Sequence, residues 1–569
     1  MLKQAQRKGL RIVFPIVGLL LLGGPLSASA NVIQPLTALP PDPENLEAFV
    51  TDRDAAVRLG KALFWDEQVG SDGRVACATC HHQAGADSRI TNRVAPREDG
   101  FQMSSGVGAT LTVSDFPYFS DDVVGSSGVA VAMFNDIMME SEQDDCAAVE
   151  PVHGFRQVTE RDAQPSVNAI FNEQQFWDGR AGPRFNGVDG SGDLSRLVVE
   201  VSAGETRPVS LTGGLELNFA SAASQAVGPP NSGVEMACEG RTFPKLGAKM
   251  LSLQPLAMQS VHPADSHLGG LALESGGLDS TYATLIQAAF APRWWDSDRV
   301  ITFDSEGNPE VGPVGTPSST DEFTIMEANF SLFWGLAIQL YEAELVSNRT
   351  PFDFDQLSPS ASRGLDVFEG GGRCDHCHDT ALFTTAVYGG PRVGRFTNTA
   401  VRPAVEDQGA GGGRFKTSGL RNVELTGPYF HNGSHLTLRD VVDFYDRGGD
   451  FPNGVTDSSI RSLGLSERDK DDLVQFMLEL TDDRVRCESA PFDHPSLDPP
   501  DGEAMPAVGR FGRGPADCLE PVLADGDPLF HFKKSEDMEA VPEPSFGLSM
   551  LAGAMAMASS SRVRRRCRR

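Results

Sequence analysis

One stretch near the end of the chain has the apolar spacing of an amphipathic helix. In "LTLRDVVDFYDRGG" (436–449) the apolar positions recur at i, i+3, i+4 and i+7, and they are Leu438, Val441, Val442 and Tyr445. Residues with this spacing share one face of a helix. We therefore expect a short helix whose apolar face, including Tyr445, packs inward.

The ends of this helix and of an earlier one are also marked in the sequence. Thr437 and Asp440 suit the start of a helix, and Gly448 suits its end. The stretch "FSLFWGLAIQLYEAELVSNRTPFDFD" (330–355) has helical spacing and breaks at Pro351. We interpret this break as the boundary between two modules.

Two distant segments share one design. "LGKALFWDEQVGSDGRVACATCHH" (59–82) and "SRGLDVFEGGGRCDHCHDT" (362–380) each run from a short helical pattern through a glycine-containing turn into Cys-x-x-Cys-His. The stretches 100–155, 183–220 and 240–320 are rich in Gly, Ser, Asp and Pro and are too long to be ordinary connections. The sequence thus predicts two related helical modules, with long loop insertions in the first.

Both ends of the chain resemble targeting signals. Basic residues, an apolar run from Ile12 to Leu22 and "SASA" predict a secretory signal over 1–30, with cleavage after Ala30. The segment 541–569 contains "PEPS", a weakly apolar run and six arginines, and it resembles the bacterial PEP-CTERM sorting signal. We expect an exported, periplasmic or envelope-associated protein, retained transiently at the membrane by its C-terminal signal.

The net charge of the chain limits which macromolecules it can bind. The 569-residue chain has a formal net charge of −30, which a phosphate backbone would repel, so no nucleic-acid partner is expected. A basic protein partner agrees with this charge, and so does a merely solvated acidic surface.

The nine cysteines divide into three sets. Four lie in the two Cys-x-x-Cys-His motifs, Cys567 lies in the C-terminal segment, and four remain. In an exported protein an even remainder predicts disulfides, most simply Cys146–Cys238 and Cys487–Cys518.

Cys-x-x-Cys-His is the attachment signature of c-type haem. Two thiols add to the two vinyl groups of the porphyrin, and the histidine that follows binds the iron. The alternative, a zinc or thiol-redox site, is disfavoured because zinc needs four ligands and neither motif has a second Cys-x-x-Cys nearby. We therefore predict two covalently bound haem c groups, held by Cys77, Cys80 and His81, and by Cys374, Cys377 and His378.

The predicted fold is mainly α, with two cytochrome c-like haem domains. The expected division of the chain is a signal peptide (1–30), an N-terminal haem domain with insertions (31–345), a C-terminal haem domain (346–485), an irregular tail (486–540) and the sorting signal (541–569).

Three further segments carry a family resemblance. "QPSVNAIFNEQQFWDGRA" (164–181), "SQAVGPPNSGVEM" (224–236) and "FKTSGLRNVELTGPYFHNGSHLTLRDVVDFYDRGG" (415–449) resemble the bacterial di-haem cytochrome c peroxidases, including the MauG-type enzymes. The resemblance covers about half of the chain and omits the insertions and the tail.

The resemblance implies roles for individual residues. Trp177 matches a tryptophan on the electron path between the haems. Gln225, Pro229 and Glu235 match the distal pocket of the first haem, where an acidic group moves a peroxide proton from one oxygen to the other. As alternatives, Trp177 is a plain core residue and Glu235 a surface carboxylate.

The resemblance also implies one calcium ion between the modules. Thr426 and Pro428 match positions whose carbonyl oxygens bind it, and Asp162 is the candidate side-chain ligand. His431 matches a histidine near the second haem that lies outside the coordination of the iron.

The sequence differs from the peroxidases at two positions where that family has a ligand of a haem iron. A histidine that blocks the first iron is expected sixteen residues after His81, where this chain has Arg97, so the first iron should be open. Fourteen residues after His431, where a methionine would bind the second iron, stands Tyr445, as in MauG-type members. A core tyrosine, or Met477 as the ligand, is the alternative.

The predicted function is peroxide reduction. Electrons from a small redox protein, a cytochrome c or a cupredoxin, enter at the C-terminal haem, and hydrogen peroxide is reduced at the N-terminal one. A MauG-type oxidase acting on a protein or organic substrate is the alternative enzyme, and a di-haem electron carrier without turnover is the alternative class. The sequence does not decide whether the chain forms a homodimer.

Overall fold

A computed structural model describes residues 33–89, 94–95, 111–118, 123–149, 156–500 and 502–519. All of these belong to one unit, Met1–Asp525. The second unit, Gly526–Arg569, lies outside the described residues, as do the predicted signal peptide and Arg97.

Eleven α-helices lie within the described residues. They are α1 (Arg53–Trp65), α2 (Ala78–His81), α3 (Ser221–Ala226), α4 (Phe243–Ser252), α5 (Tyr282–Ala289), α6 (Ile325–Ala328), α7 (Phe330–Glu342), α8 (Pro359–Glu369), α9 (Leu438–Arg447), α10 (Glu467–Leu478) and α11 (Asp483–Arg486).

Twelve short strands accompany them and form six two-stranded antiparallel sheets, which pair β1 with β2, β3 with β6, β4 with β5, β7 with β8, β9 with β10 and β11 with β12. They are β1 (Val94–Ala95), β2 (Val123–Val124), β3 (Ser127–Ala130), β4 (Ala132–Ile137), β5 (Asp144–Ala148), β6 (Arg156–Val158), β7 (Val198–Ser202), β8 (Glu205–Val209), β9 (Arg299–Phe303), β10 (Pro309–Val314), β11 (Phe396–Thr397) and β12 (Phe415–Lys416). Helices make up only 27% of the structure, so the expectation of a mainly α fold is supported only loosely.

Two helix pairs carry the cores, and each pair crosses at a glycine. A Cβ atom on Gly60 of α1 would lie 1.9 Å from the carbonyl oxygen of Ala337 in α7. A Cβ atom on Gly364 of α8 would lie 2.0 Å from the carbonyl oxygen of Asp472 in α10. Only glycine allows such a close approach of two backbones. The similar lead-in sequences of the two motifs therefore build the same helix crossing twice.

The two pairs bury different apolar clusters. Around α1 and α7 lies a large core that includes Trp294 and Trp334. Around α8 and α10, Phe368 and Phe383 pack edge to face on Phe476. Such aromatic contacts add about 0.5–1.5 kcal/mol each beyond the burial of area.

A second repeat follows each motif. Asn168 and Asn422 both adopt a left-handed backbone, with φ of 63° and 61°. The Asn168 N–H donates to the carbonyl of Leu345, just after α7, and the Asn422 N–H donates to that of Leu480, just after α10 (2.9 and 3.0 Å). Each asparagine thus ties a loop to the end of the second helix of its pair.

The loops that follow these asparagines are alike as well. Phe176 and Phe430 have positive φ, 63° and 70°. The next residues, Trp177 and His431, therefore occupy equivalent places in the two loops.

The sequence predicted the helix α9 closely. Thr437 caps it in a capping box with Asp440, and Gly448 ends it in a left-handed conformation. This confirms the expected ends. Among the described residues, no helix is long and apolar enough to cross a membrane.

Both predicted disulfides are confirmed. Cys146 is bonded to Cys238 and Cys487 to Cys518. The second bond anchors the described part of the tail. There His494 stacks on Trp65 with ring centroids 4.7 Å apart, so the tail packs onto α1.

Candidate functional site

The first Cys-x-x-Cys-His motif faces a cavity of about 540 Å³, within the 300–1,000 Å³ range typical of ligand sites. Cys77, Cys80 and His81 line one part of it, and Gln225 and Glu235 line another. The chain therefore brings the predicted attachment residues and the predicted distal residues to one cavity.

The His81 imidazole is oriented for metal binding. Its Nδ1 atom lies 2.9 Å from the carbonyl oxygen of Gly85, so Nδ1 carries the proton and Nε2 is left for a ligand. Burial lowers the pKa of His81, which favours the neutral imidazole that an iron needs. The Phe64 ring of α1 packs beside it, with ring centroids 6.4 Å apart.

The motif cysteines are free thiols, whereas the other four cysteines of the described residues form disulfides. Burial raises the pKa of Cys80 to about 11 and also raises that of Cys77. These protonated thiols beside a ligand-sized cavity fit covalent attachment of a haem.

Glu235 sits half-buried in the turn that follows α3. Its backbone N–H donates to the carbonyl of Ser232 at 3.2 Å. Burial raises the pKa of its carboxyl group, and this effect exceeds the opposing effects of a hydrogen bond with Ser232 and of the charge of Arg180. A carboxyl group that keeps its proton closer to neutral pH suits transfer of a proton to and from a bound substrate.

The first insertion holds the Glu235 turn in place. The Glu239 N–H donates to Ala132 in β4 at 2.9 Å, and the Phe134 N–H donates back to Glu239 at 3.0 Å. The disulfide from Cys146 in β5 to Cys238 ties the same turn covalently. We call residues 127–148, which include β3, β4 and β5, the clamp.

A buried charge cluster anchors the clamp. The Asp144 carboxylate accepts from Ser71 at 2.6 Å and from Arg241 at 2.8 Å, and Lys249 lies 3.2 Å away. Gly128 passes so close to the turn that a Cβ atom there would lie 1.8 Å from the carbonyl oxygen of Val234. One role of this insertion is therefore to fix the turn that contains Glu235.

The second motif faces a smaller cavity of about 210 Å³. His378 repeats the arrangement of His81, because its Nδ1 lies 2.6 Å from the carbonyl oxygen of Phe383. Burial lowers the pKa of His378 to about 4, so its imidazole is neutral. Cys374 and Cys377 are free thiols beside it.

Tyr445 lies in this second cavity, together with Leu438, Val441 and Val442 of α9. The predicted inward face of the helix is thus confirmed. Burial raises the pKa of Tyr445. Its hydroxyl group therefore keeps its proton unless a cation lies beside it.

Met477 of α10 lines the second cavity as well. Both candidate ligands for the second iron thus face the same space. The choice between them stays a prediction.

Seven residues line both cavities and form what we call the shared wall: Asp162, Ala163, Pro165, Trp177, Lys416, Ser418 and Gly419. The Trp177 indole N–H donates to the carbonyl oxygen of Asp162 at 2.8 Å, and its ring contacts His431 edge to face at 6.2 Å. His431 in turn stacks on Phe415 at 3.8 Å. Trp177 is the only aromatic residue in this wall, so it lies where an inter-site electron path would run.

The three calcium candidates, Asp162, Thr426 and Pro428, all line the second cavity. Among the described residues no group of three or more His, Cys, Asp or Glu side chains could hold a metal ion. A site built from one carboxylate and two carbonyl groups would not appear in such a group, so calcium binding stays a prediction.

Glu342 and Lys416 are two of the charged cavity residues that the sequence analysis missed. Glu342, at the end of α7, lines the first cavity, and burial raises its pKa to about 8. Lys416 lies in the shared wall, and burial lowers its pKa to about 7. The sequence analysis assigned no role to either residue, and only the folded chain reveals their burial.

Comparison with known proteins agrees with this site. Residues 54–302 match the family model described as di-haem cytochrome c peroxidase. That range contains the first motif, Trp177, Gln225 and Glu235, and it ends before the second motif.

Curated relatives point to the same family. Cytochrome-c peroxidase IdrP1 of Denitromonas iodatirespirans is 31% identical over 183 residues, 26% of this chain and 48% of the relative. Methylamine utilization protein MauG of Methylorubrum extorquens is 29% identical over 178 residues, 28% of this chain and 46% of the relative. The chain thus spans about half the length of these curated relatives.

Two solved structures resemble about four fifths of the chain more loosely. A MauG-like protein associated with microbial copper homeostasis matches with a TM-score of 0.45 and 17% identity, over 80% of this chain and 97% of that one. The di-haem peroxidase BthA of Burkholderia thailandensis matches with a TM-score of 0.41 and 18% identity, over 79% and 90%.

The family model and the named relatives support the di-haem cytochrome c peroxidase and MauG family. The family that they name implies two haem c groups as cofactors.

Proposed function

We propose that this protein reduces hydrogen peroxide to water, with two electrons from a small redox protein and two protons. One observation carries the proposal: a single cavity contains the attachment residues Cys77, Cys80 and His81 and also the half-buried carboxyl group of Glu235. An electron carrier has no need of an acid–base group beside its iron.

The residues fit two haem groups. Cys77 and Cys80 would hold the first haem and His81 would bind its iron, while Cys374, Cys377 and His378 would do the same for the second. When bound, the haems supply iron that exchanges electrons and, at the first site, an open position for peroxide.

In this proposal Glu235 moves the protons. Its carboxylate would accept a proton from one oxygen of the peroxide and return it to the other oxygen, which would leave as water. The remaining oxygen would become a second water with the two electrons of the donor and two protons. Gln225 lines the same cavity and orients the peroxide by hydrogen bonding. The clamp serves this step by keeping the Glu235 turn from moving, because small misplacements are costly in catalysis.

We propose that electrons enter at the second site and reach the first through Trp177. Its place in the shared wall supports this role. The donor is a small protein, a cytochrome c or a cupredoxin, and a surface of net charge −30 favours a donor with a basic face.

The finer description of the chain rests on the same reasoning. We propose a peroxidatic domain over 31–345, an electron-entry domain over 346–485, one calcium ion at Asp162, Thr426 and Pro428, and export directed by the terminal signals. The repeated helix crossing and the repeated asparagine loops support two related domains.

One observation favours a second candidate function. Tyr445 faces the second cavity, and a tyrosine ligand there would favour ferric iron and make more oxidised states easier to reach. That would suit a MauG-type oxidase that acts on a protein or organic substrate.

The exchange of Glu235 for glutamine tests the proposal. Glu235→Gln keeps the shape and removes the proton transfer, so we expect peroxide turnover to fall about 100-fold or more. Glu239→Gln is the matched control, because Glu239 is exposed and lines neither cavity. Unchanged turnover in Glu235→Gln would refute the assignment.

A further inference from the structure

The amino group of Lys416 occupies an unusual place. The residue is only 5% exposed and lies in the shared wall, where it lines both cavities. Among the described residues no hydrogen-bond acceptor or ion-pair partner meets its Nζ atom. Asp178 is the only charged group that acts on it, and that carboxylate already accepts from Arg161 at 2.8 Å and from Arg180 at 3.0 Å.

A buried ammonium group without a partner is destabilising, because it has lost its hydration and gained no opposite charge. Natural cores seldom keep such a group unless a ligand or an opposite charge meets it. Burial has lowered the pKa of Lys416 to about 7, which shows that the polypeptide alone does not compensate the charge.

The backbone holds Lys416 firmly. Its N–H donates to the carbonyl oxygen of Trp177 at 2.8 Å, and it pairs with Phe396 between β11 and β12. The side chain therefore projects from a fixed point beside the tryptophan. Within the shared wall, the only other charged residue is Asp162.

We propose that Lys416 binds a propionate carboxylate of a haem in the shared wall. This inference rests on the haem binding of the proposed function. A haem has two propionates, and each offers the anionic oxygens that a buried ammonium lacks here. The chemistry is the same for a propionate of either haem, so the experiment has to distinguish the two.

A salt bridge of this kind alters the reduction potential. An ammonium beside a propionate offsets its negative charge, and this favours the ferrous form of the attached haem. Removing the ammonium should shift that haem toward its oxidised form, whether or not the enzyme is turning over.

The test is an EPR-monitored redox titration of the two-haem protein. The first haem with an open position and the second with two axial ligands should give separate signals, which identifies the haem concerned. In Lys416→Met and Lys416→Gln we expect the reduction equilibrium of one haem to shift at least tenfold toward the ferric form, about 59 mV for one electron. Lys416→Arg keeps the charge, so in this variant the reduction potential of that haem should change by less than half of this shift.

Lys245→Met is the matched control. Lys245 pairs with Asp136 at 2.9 Å and lines neither cavity, so this variant should leave both potentials unchanged. A neutral Lys416 variant with two covalent haems and parental potentials would overturn the inference. So would a change of one haem from low spin to high spin in these variants, because it would identify Lys416 as an iron ligand.

The covalent haem content of the parent chain, measured by mass, separates this inference from the proposed function. Fewer than two haems per parent chain would count against the proposed function itself. Two haems with unaltered potentials in the neutral variants would count against the role of Lys416 alone.

Discussion

The disulfide of the clamp gives a prediction that joins stability to chemistry. Replacing Cys146 and Cys238 together by serine leaves no lone thiol and releases the covalent tie to the Glu235 turn. The bond closes a loop whose ends are 92 residues apart in sequence. By the chain-entropy relation, a loop of that length corresponds to about 4.6 kcal/mol of stability.

The other disulfide is the natural control. Cys487 and Cys518 are 31 residues apart, which corresponds to about 3.7 kcal/mol. Both double variants should therefore lose a similar free energy of unfolding. They should differ in activity, because only the first bond holds the turn that contains Glu235.

We expect peroxide turnover to fall about tenfold or more without the Cys146–Cys238 bond, since a small misplacement of a catalytic group is costly. Without the Cys487–Cys518 bond it should stay within twofold of the parent. Urea unfolding gives the stabilities, and initial rates at a temperature where all three proteins are folded give the turnover. Equal turnover in the two double variants would refute the proposal that the clamp positions Glu235 for catalysis.

Three more predictions concern single residues. Trp177→Phe should slow electron transfer from the second haem to the first in stopped-flow reduction, whereas Trp295→Phe, which lines neither cavity, should not; equal rates would remove Trp177 from the path. Tyr445→Phe should change the low-spin EPR signal of the second haem and Tyr445→Met should raise its potential, and if neither happens Tyr445 is a packing residue. Glu342 has a pKa of about 8 when folded, above its ordinary 4.5, so its contribution to stability is full below pH 4.5 and is lost as the pH rises to about 8. Glu342→Gln should flatten this pH dependence of urea unfolding, by about 5 kcal/mol at most; an unchanged slope between pH 5 and pH 8 would contradict the burial of a lone carboxyl group.

The sequence predicted the parts of this protein that depend on local patterns. Helix α9 could be predicted because its cap, its apolar face and its final glycine all lie within fourteen residues. The attachment motifs are equally local. The disulfide pairs followed from export and an even number of remaining cysteines.

Contacts between distant segments could not be predicted in this way. Asp144 lies in a Gly- and Ser-rich insertion, and nothing near it in sequence indicates Arg241 and Lys249 as its partners. Lys416 lies in a segment that carries the family resemblance, but its burial in the shared wall depends on contacts with residues that are distant in sequence. The prediction of a mainly α fold underestimated the number of strands for a related reason. Most of the hairpins lie in insertions whose polar composition resembles that of loops.

The central claim is that the first haem has an open iron beside Glu235. Visible and EPR spectra of the fully oxidised protein, recorded before and after addition of hydrogen peroxide, test it most directly. We predict a high-spin signal from one haem that changes on addition of peroxide without prior reduction. Two low-spin irons that do not respond to peroxide would contradict the account.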